Sequence, residues 1–336
     1  MARRALVVAP TPYYIEKGST LRVHAMVQRL RRQGYLVDVV CYDRGTDPEL
    51  DGVSISRAGI RSFTSTDAGP ALTDLLNDVF VSIRVFRQVL TRNYDILQGE
   101  DVEGITIALA ASICTDAETI YDLHNPLTES LDLHGIPIPH RLSRAVEGAL
   151  YRRVDTILAN WGMWADAIRS EYDVERVEVV HDQIPAEMSE IDLPTDRYLT
   201  YVGNFEPYQG VDLLVEAFEA VAAGTDVDLV LVGDPSVEIR DLVAGSPVAD
   251  RIHLLGRQPI PTANFVIANA VASVIPRRHG TQPSTKLLHY AMHDPPIIAT
   301  DLRCNQELER LGHEVYWAAP TAGGIATCIE EVANHG

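Results

Sequence analysis

Short apolar runs alternate with amphipathic helical patterns along all 336 residues, and that alternation leaves few folds open. Residues 4–9, 36–41, 95–98, 118–123, 155–159 and 177–181 read as strands in the first half. Residues 198–203, 227–233, 251–255, 270–275 and 296–300 do so in the second. Between them Val23, Met26, Val27 and Leu30 recur at helical spacing, as do Leu142, Ala145, Val146 and Ala149, and Leu214, Ala217, Phe218 and Val221. Apolar strands separated by such helices form parallel sheets covered on both faces. The expected class is therefore α/β, with two doubly wound Rossmann-like domains facing a central cleft.

A boundary suits Ile184–Arg197, which carries two prolines, four acidic residues and no periodicity. Residues 1–186 and 187–320 become the two domains, and 321–336 a C-terminal helix with the option of crossing back to the first. Closure about the 184–197 hinge would exclude water from a shared cleft.

Charge narrows the function classes. A formal charge of −19 and a pI near 4.9 argue against wrapping nucleic acid, which needs a basic face. Excess acid with two lysines against 26 arginines fits a salt-rich cytosol, hence a halophilic source. Cys41, Cys114, Cys304 and Cys328 show no CxxC pairing and read as buried thiols of a reducing compartment. No apolar run is long enough to span a membrane, and the N-terminus lacks a cleavage site, so a cytoplasmic location is expected. No spacing suggests metal ligands, so neither a metal nor a cofactor is expected.

Both lysines sit where a loop turns into a helix. Lys17 precedes Gly18 and an apolar-periodic helix that includes Arg22. Lys286 follows Thr281, Gln282, Pro283, Ser284 and Thr285. Helix starts attract anions, and Pro283 suits a first helical turn. With Arg277 and Arg278 nearby, three cations surround one helix start in an acidic protein, which points to an anionic ligand. A second glycine-bearing turn, Gly203-Asn204-Phe205-Glu206-Pro207-Tyr208-Gln209-Gly210, joins a strand to the helix of Leu214–Val221. Gly203 there would let backbone approach a ligand, and Gly210 would serve packing.

Together the two stretches resemble the donor-binding domain of family 4 glycosyltransferases, retaining enzymes of the two-domain GT-B fold. Tyr201-Val202-Gly203 through Gly210-Val211-Asp212-Leu213-Leu214 is similar to that family's first donor motif. Pro283-Ser284-Thr285-Lys286-Leu287-Leu288-His289 through Asp301 and Glu307 is similar to its second. Departures are visible. Asn204 and Gln209 stand where the family places arginine and lysine, and its glutamate pair maps onto Thr281 and His289. A branch with a Gly-Thr-x-x-Pro-x-Lys-type loop is the nearest home.

The resemblance implies transfer of a sugar from a nucleotide-sugar donor to an acceptor hydroxyl, with retention and without a catalytic metal. The second domain would hold the donor and the first the acceptor. It implies donor contacts at Gly18, Gly203, Asn204, Gln209, Arg277, Thr281, Ser284, Thr285, Lys286 and His289. Lys17 and Arg22 would face the acceptor, and His124 and Glu307 would act at the reacting centre. His124 also reads as a strand-end histidine bonded to backbone, and Glu307 as a helix cap. Glu100, Asp101 and Glu103 would meet the acceptor or form a wet surface, and Trp161 and Trp164 read as packing. The acceptor is a glycan, a lipid-linked sugar or a protein, with peripheral association at the inner membrane face. A nucleotide-sugar epimerase and a non-catalytic partner subunit are the alternative readings.

Overall fold

The computed structural model describes residues 2–14, 18–61, 72–133 and 135–335, and the chain divides into two compact units, Met1–Gln183 and Ile184–Gly336. The first unit holds a seven-stranded sheet. Its strands are β1 (Arg4–Pro12), β2 (Leu36–Tyr42), β3 (Val53–Ala58), β4 (Ile96–Glu100), β5 (Glu118–Leu123), β6 (Thr156–Ala159) and β7 (Val177–Val179). Helices α1 (Gly18–Arg32), α2 (Leu72–Thr91), α3 (Asp101–Ser112), α4 (Leu127–Leu133), α5 (His140–Tyr151) and α6 (Gly162–Tyr172) connect them. The order is β3-β2-β1-β4-β5-β6-β7 and each pair runs parallel.

The second unit repeats the plan. Strands β8 (Tyr198–Val202), β9 (Asp228–Val232), β10 (Ile252–Gly256), β11 (Ala272–Ile275), β12 (Ile297–Thr300) and β13 (Val315–Ala318) lie in the order β10-β9-β8-β11-β12-β13. Helices α7 (Val211–Val221), α8 (Val237–Gly245), α9 (Ile260–Ala268), α10 (Thr285–Ala291), α11 (Glu307–Arg310) and α12 (Ala322–His335) complete it. The strand order reverses between β1 and β4, and again between β8 and β11. Such sheets bind ligands beyond the strand C-termini at these switch points. Every predicted strand is present. The two unpredicted ones, β3 and β13, are edge strands, bonded on one side only; β3 (Val-Ser-Ile-Ser-Arg-Ala) lacks a continuous apolar run, and β13 is only four residues long.

Two of the three predicted helical stripes are core faces. Val23, Val27 and Leu30 of α1 pack on Val7 and Val39, and Leu214, Ala217, Phe218 and Val221 of α7 pack on Leu229 and Leu231. The third is a correction. Leu142 and Val146 of α5 are exposed, while Ser143, Glu147, Gly148 and Tyr151 face inward. Glu147 earns that place as an acceptor: Thr128 N–H donates to it at 2.9 Å and the Tyr172 hydroxyl at 2.6 Å. Periodicity shows that a helix has two faces; the polar partners available decide which is buried.

Helix α2 also leaves Leu75, Leu76, Val79, Phe80 and Ile83 exposed. Helix α12 belongs to the second unit, where Ile325 and Ile329 join the α7 core. The segment after Gln183 is docked on its own unit. Asn264 of α9 donates to the carbonyls of Pro185 and Glu187, each at 2.7 Å, and Ser189 N–H donates to Pro261 at 2.9 Å. Asn264→Ala should therefore cost about 1–3 kcal/mol, because two carbonyls and His289 lose their partner at once. Urea unfolding of the two proteins measures this. Cys114 is exposed, not a buried thiol as expected, whereas Cys41, Cys304 and Cys328 are buried. Trp161 and Trp164 are buried packing residues. No helix among the described residues is long and apolar enough to cross a membrane.

Candidate functional site

In the second unit the switch point is built by the turn after β8 and the loop after β11. Gly210 has φ +70 and caps α7, and a Cβ there would meet the Pro276 carbonyl oxygen at 2.1 Å. The two loops are thus held in contact, and only glycine permits it. Gly203 makes room for a side chain: a Cβ would lie 2.8 Å from Lys286 Cε and 2.9 Å from Nζ.

Lys286 projects from the first turn of α10 into that space. Its ammonium lies 3.8 Å from the centre of the Tyr201 ring and donates to Gln209 Oε1 at 3.2 Å. Arg277, buried, donates through Nε to the His279 carbonyl at 3.1 Å and through Nη1 to that of Gln282 at 2.6 Å. Among the described residues, neither cation has a carboxylate within salt-bridge distance. Burial, and then the Arg277 charge, hold the Lys286 ammonium pKa well below the usual lysine value. A buried guanidinium and a half-buried ammonium, answered by carbonyls, a thiol and ring faces, form a site for an anion.

The rest of the predicted donor set is sorted by partners. Gln209 is buried and orients Lys286. Asn204 is exposed, and its carbonyl accepts the Tyr201 hydroxyl. Thr281 and Thr285 are exposed, and Ser284 precedes α10 without capping it through its side chain. Pro283 lies before the helix, not in its first turn. Helix α10 has only seven residues, so the two cations and not a helix dipole supply the positive field. Arg278 pairs with Asp212 and is not a third free cation.

His289 is a correction. Its Nε2 donates to Asn264 Oδ1 at 2.6 Å, the orientation required because the Asn264 amide already serves two carbonyls. Burial and then His293 push it down to about 4, so it is a neutral donor tied to α9. Glu307 is buried and holds Arg310 Nε at 3.2 Å, which leaves it fastening its own helix instead of facing a sugar.

In the first unit Lys17 lies outside the described residues, and Gly18 opens α1. Arg22 is another correction. At 2% exposure it donates to Asp122 Oδ1 at 3.0 and 2.5 Å, to Asp182 at 2.8 Å and to the Val180 carbonyl at 2.8 Å. It binds the unit together and turns nothing toward an acceptor. Burial would lower its pKa, but Asp122 and Asp182 raise it instead.

His124 stands one residue beyond β5, at the C-terminal edge of the sheet. Its Nδ1 is 3.3 Å from Asp101 Oδ2, and its Nε2 is 3.3 Å from Glu100 Oε2 and 4.0 Å from Asp122 Oδ2. Asp101 also accepts the His124 N–H at 3.2 Å and adopts φ 51, uncommon outside glycine. Burial opposes the imidazolium, yet Asp101, Glu100 and Asp122 together raise its pKa. Burial and then Asp122 raise that of Glu100. The wet-surface reading of Glu100 fails, since it is 3% exposed. The cluster has a sequence signal that was missed: Asp122 and His124 share a strand face, and Glu100 is the register partner of Asp122. One donor atom from each of these three lies within 4.8 Å of the others, so the fold gathers a candidate metal-ligand set that the spacing in the sequence does not suggest. Surface hollows lined by Asp47–Ile55 and around Arg29 and Tyr35 contain none of these groups.

Comparison with known proteins follows the same division. Residues 17–182 match the family described as glycosyl transferase 4-like domain, and residues 196–335 match glycosyl transferases group 1. No curated protein matches the chain. Among solved structures, sucrose-phosphate synthase from Thermosynechococcus elongatus superposes with a TM-score of 0.74 at 14% identity, over 98% of this chain and 90% of that one. Anabaena Alr3699/HepE in complex with UDP and glucose gives 0.67 at 15% identity, over 98% and 92%. Starch synthase IV from Arabidopsis thaliana, bound to ADP and acarbose, gives 0.66 at 13% identity, over 100% and 92%.

Proposed function

The chain belongs to the glycosyltransferases of the GT-B fold, and on that premise we propose that it moves a sugar from a nucleotide-sugar donor to an acceptor hydroxyl with retention. The observation that carries this is the pair of Arg277, buried, and Lys286, half-buried, at a switch point with no carboxylate among the described residues to answer them. A donor diphosphate supplies the missing negative charge. As the glycosidic bond breaks, charge grows on the leaving diphosphate, and preorganised cations stabilise that growth. Gly203, Asn204 and Gln209 would line the phosphates, with the Thr281, Ser284 and Thr285 hydroxyls completing the loop. The first unit would take the acceptor, with His124 beyond β5 beside Glu100 at the end of β4. Retention rests on the likeness of the donor motifs to those of a retaining family.

Related folds carrying UDP or ADP support a nucleoside diphosphate as leaving group. The exposed apolar face of α2 favours an acceptor presented on a lipid, at the cytoplasmic face of a membrane. The acidic surface favours working in high salt. Purified protein should be incubated with UDP-, GDP- and ADP-sugars in molar KCl, with and without lipid-linked or free glycan acceptors. Nucleoside diphosphate released only when acceptor is present is the expected result. Interconversion of the donor sugar alone would establish the epimerase instead. Absence of any nucleotide binding would leave a non-catalytic partner subunit, the reading that the replaced arginine, lysine and glutamates of the donor motifs favour.

A further inference from the structure

We propose that Glu100, Asp122 and His124 of the first unit form a binding site for a first-row divalent cation such as Zn2+ or Mn2+. The Glu100 and Asp122 side chains are more than nine-tenths buried, and that of His124 is 11% exposed. Each commits one polar atom to a fixed neighbour. Glu100 Oε1 accepts the Gln98 amide at 2.9 Å, Asp122 Oδ1 accepts Arg22, and His124 Nδ1 faces Asp101 at 3.3 Å. The remaining atoms, Glu100 Oε2, Asp122 Oδ2 and His124 Nε2, have no hydrogen-bond partner outside the cluster and face one another, with Nε2 3.3 Å from Oε2 and 4.0 Å from Oδ2. All three point into one space and lie within 4.8 Å of one another.

One buried polar atom without a partner costs about 1–3 kcal/mol, so three facing a single point call for a shared partner. The spacing suits an ion. Donors held about 2.0–2.2 Å from one metal stand about 3 Å or slightly more apart, and Nε2 to Oε2 is 3.3 Å. One imidazole with two carboxylates is a donor set for borderline ions. The outer contacts repeat what metal sites require: a carboxylate behind the histidine and hydrogen bonds behind each carboxylate.

This site lies in the first unit and owes nothing to Lys286 or Arg277, so its failure would leave the donor reading untouched. The full chain, stripped with EDTA and moved to chelator-free buffer with molar KCl, should be titrated calorimetrically with ZnCl2 and MnCl2. One saturable equivalent per chain is expected, together with a higher melting temperature. Glu100→Gln and the outer-contact variant Asp101→Asn should each weaken binding by about tenfold or more, with far-UV circular dichroism unchanged. Two results overturn the site. One is no saturable binding of either metal by the unaltered chain up to millimolar concentration. The other is equal binding by a folded Glu100→Gln, which would assign the ion to surface carboxylates.

Discussion

Replacing Lys286 with methionine should raise the Kd for UDP or GDP by roughly 10- to 150-fold, the equivalent of losing about 1.5–3 kcal/mol from a charged hydrogen bond. Methionine keeps most of the volume beside Gly203 and over the Tyr201 ring, so packing is conserved while charge is removed. Calorimetry measures the change, and equal affinities for the two proteins would remove Lys286 from the site. A proton count sharpens the test. In the free protein, burial and then Arg277 depress the Lys286 pKa. A bound diphosphate opposes both effects and raises it again, so the complex holds more protons than the free protein. Binding should therefore take up protons and weaken as pH rises through the free-state pKa of Lys286. Titration in buffers of different ionisation enthalpy reads the uptake directly, and Lys286→Met should abolish it.

Arg22→Met should destabilise the chain by about 3–5 kcal/mol, the range for breaking a buried ion pair by removing one partner. The guanidinium is 2% exposed and answers Asp122, Asp182 and the Val180 carbonyl at once. Methionine would leave Asp122 buried without its counter-charge. Thermal and urea unfolding of both proteins provide the comparison. An acceptor-contacting arginine would behave in the opposite way, with stability intact and turnover lost. That pattern would restore the role that its place in the sequence first suggested.

Residues that look alike in the chain thus part company in the fold. Arg277 and Arg278 are neighbours, yet Arg278 meets Asp212 while Arg277 meets two carbonyls, the Cys304 sulfur and the Tyr208 ring. His289 lies three residues after Lys286 in a motif suggestive of ligand contact. Asn264, from another helix, captures it. Helix α5 has the apolar stripe of a core element and turns it outward, because Thr128 and Tyr172 offer Glu147 a satisfied place inside. None of these outcomes is encoded in spacing, since the deciding partner is distant along the chain. Glu100 was misjudged for the same reason: only the pairing of β4 with β5 brings it beside Asp122.

Local pattern was sufficient for what depends on local physics. Alternating apolar runs and amphipathic helices specified two parallel α/β sheets, and loop positions placed Gly203, Arg277 and Lys286 at strand ends beside a switch point. Tertiary structure alone decided which charges remained unanswered. Arg22 and Asp122 are 100 residues apart, yet burial makes their pairing compulsory, while Lys286 and Arg277 meet no carboxylate among the described residues. Desolvation penalises every buried charge, and only the folded chain determines which of them find a partner within it and which need one from outside.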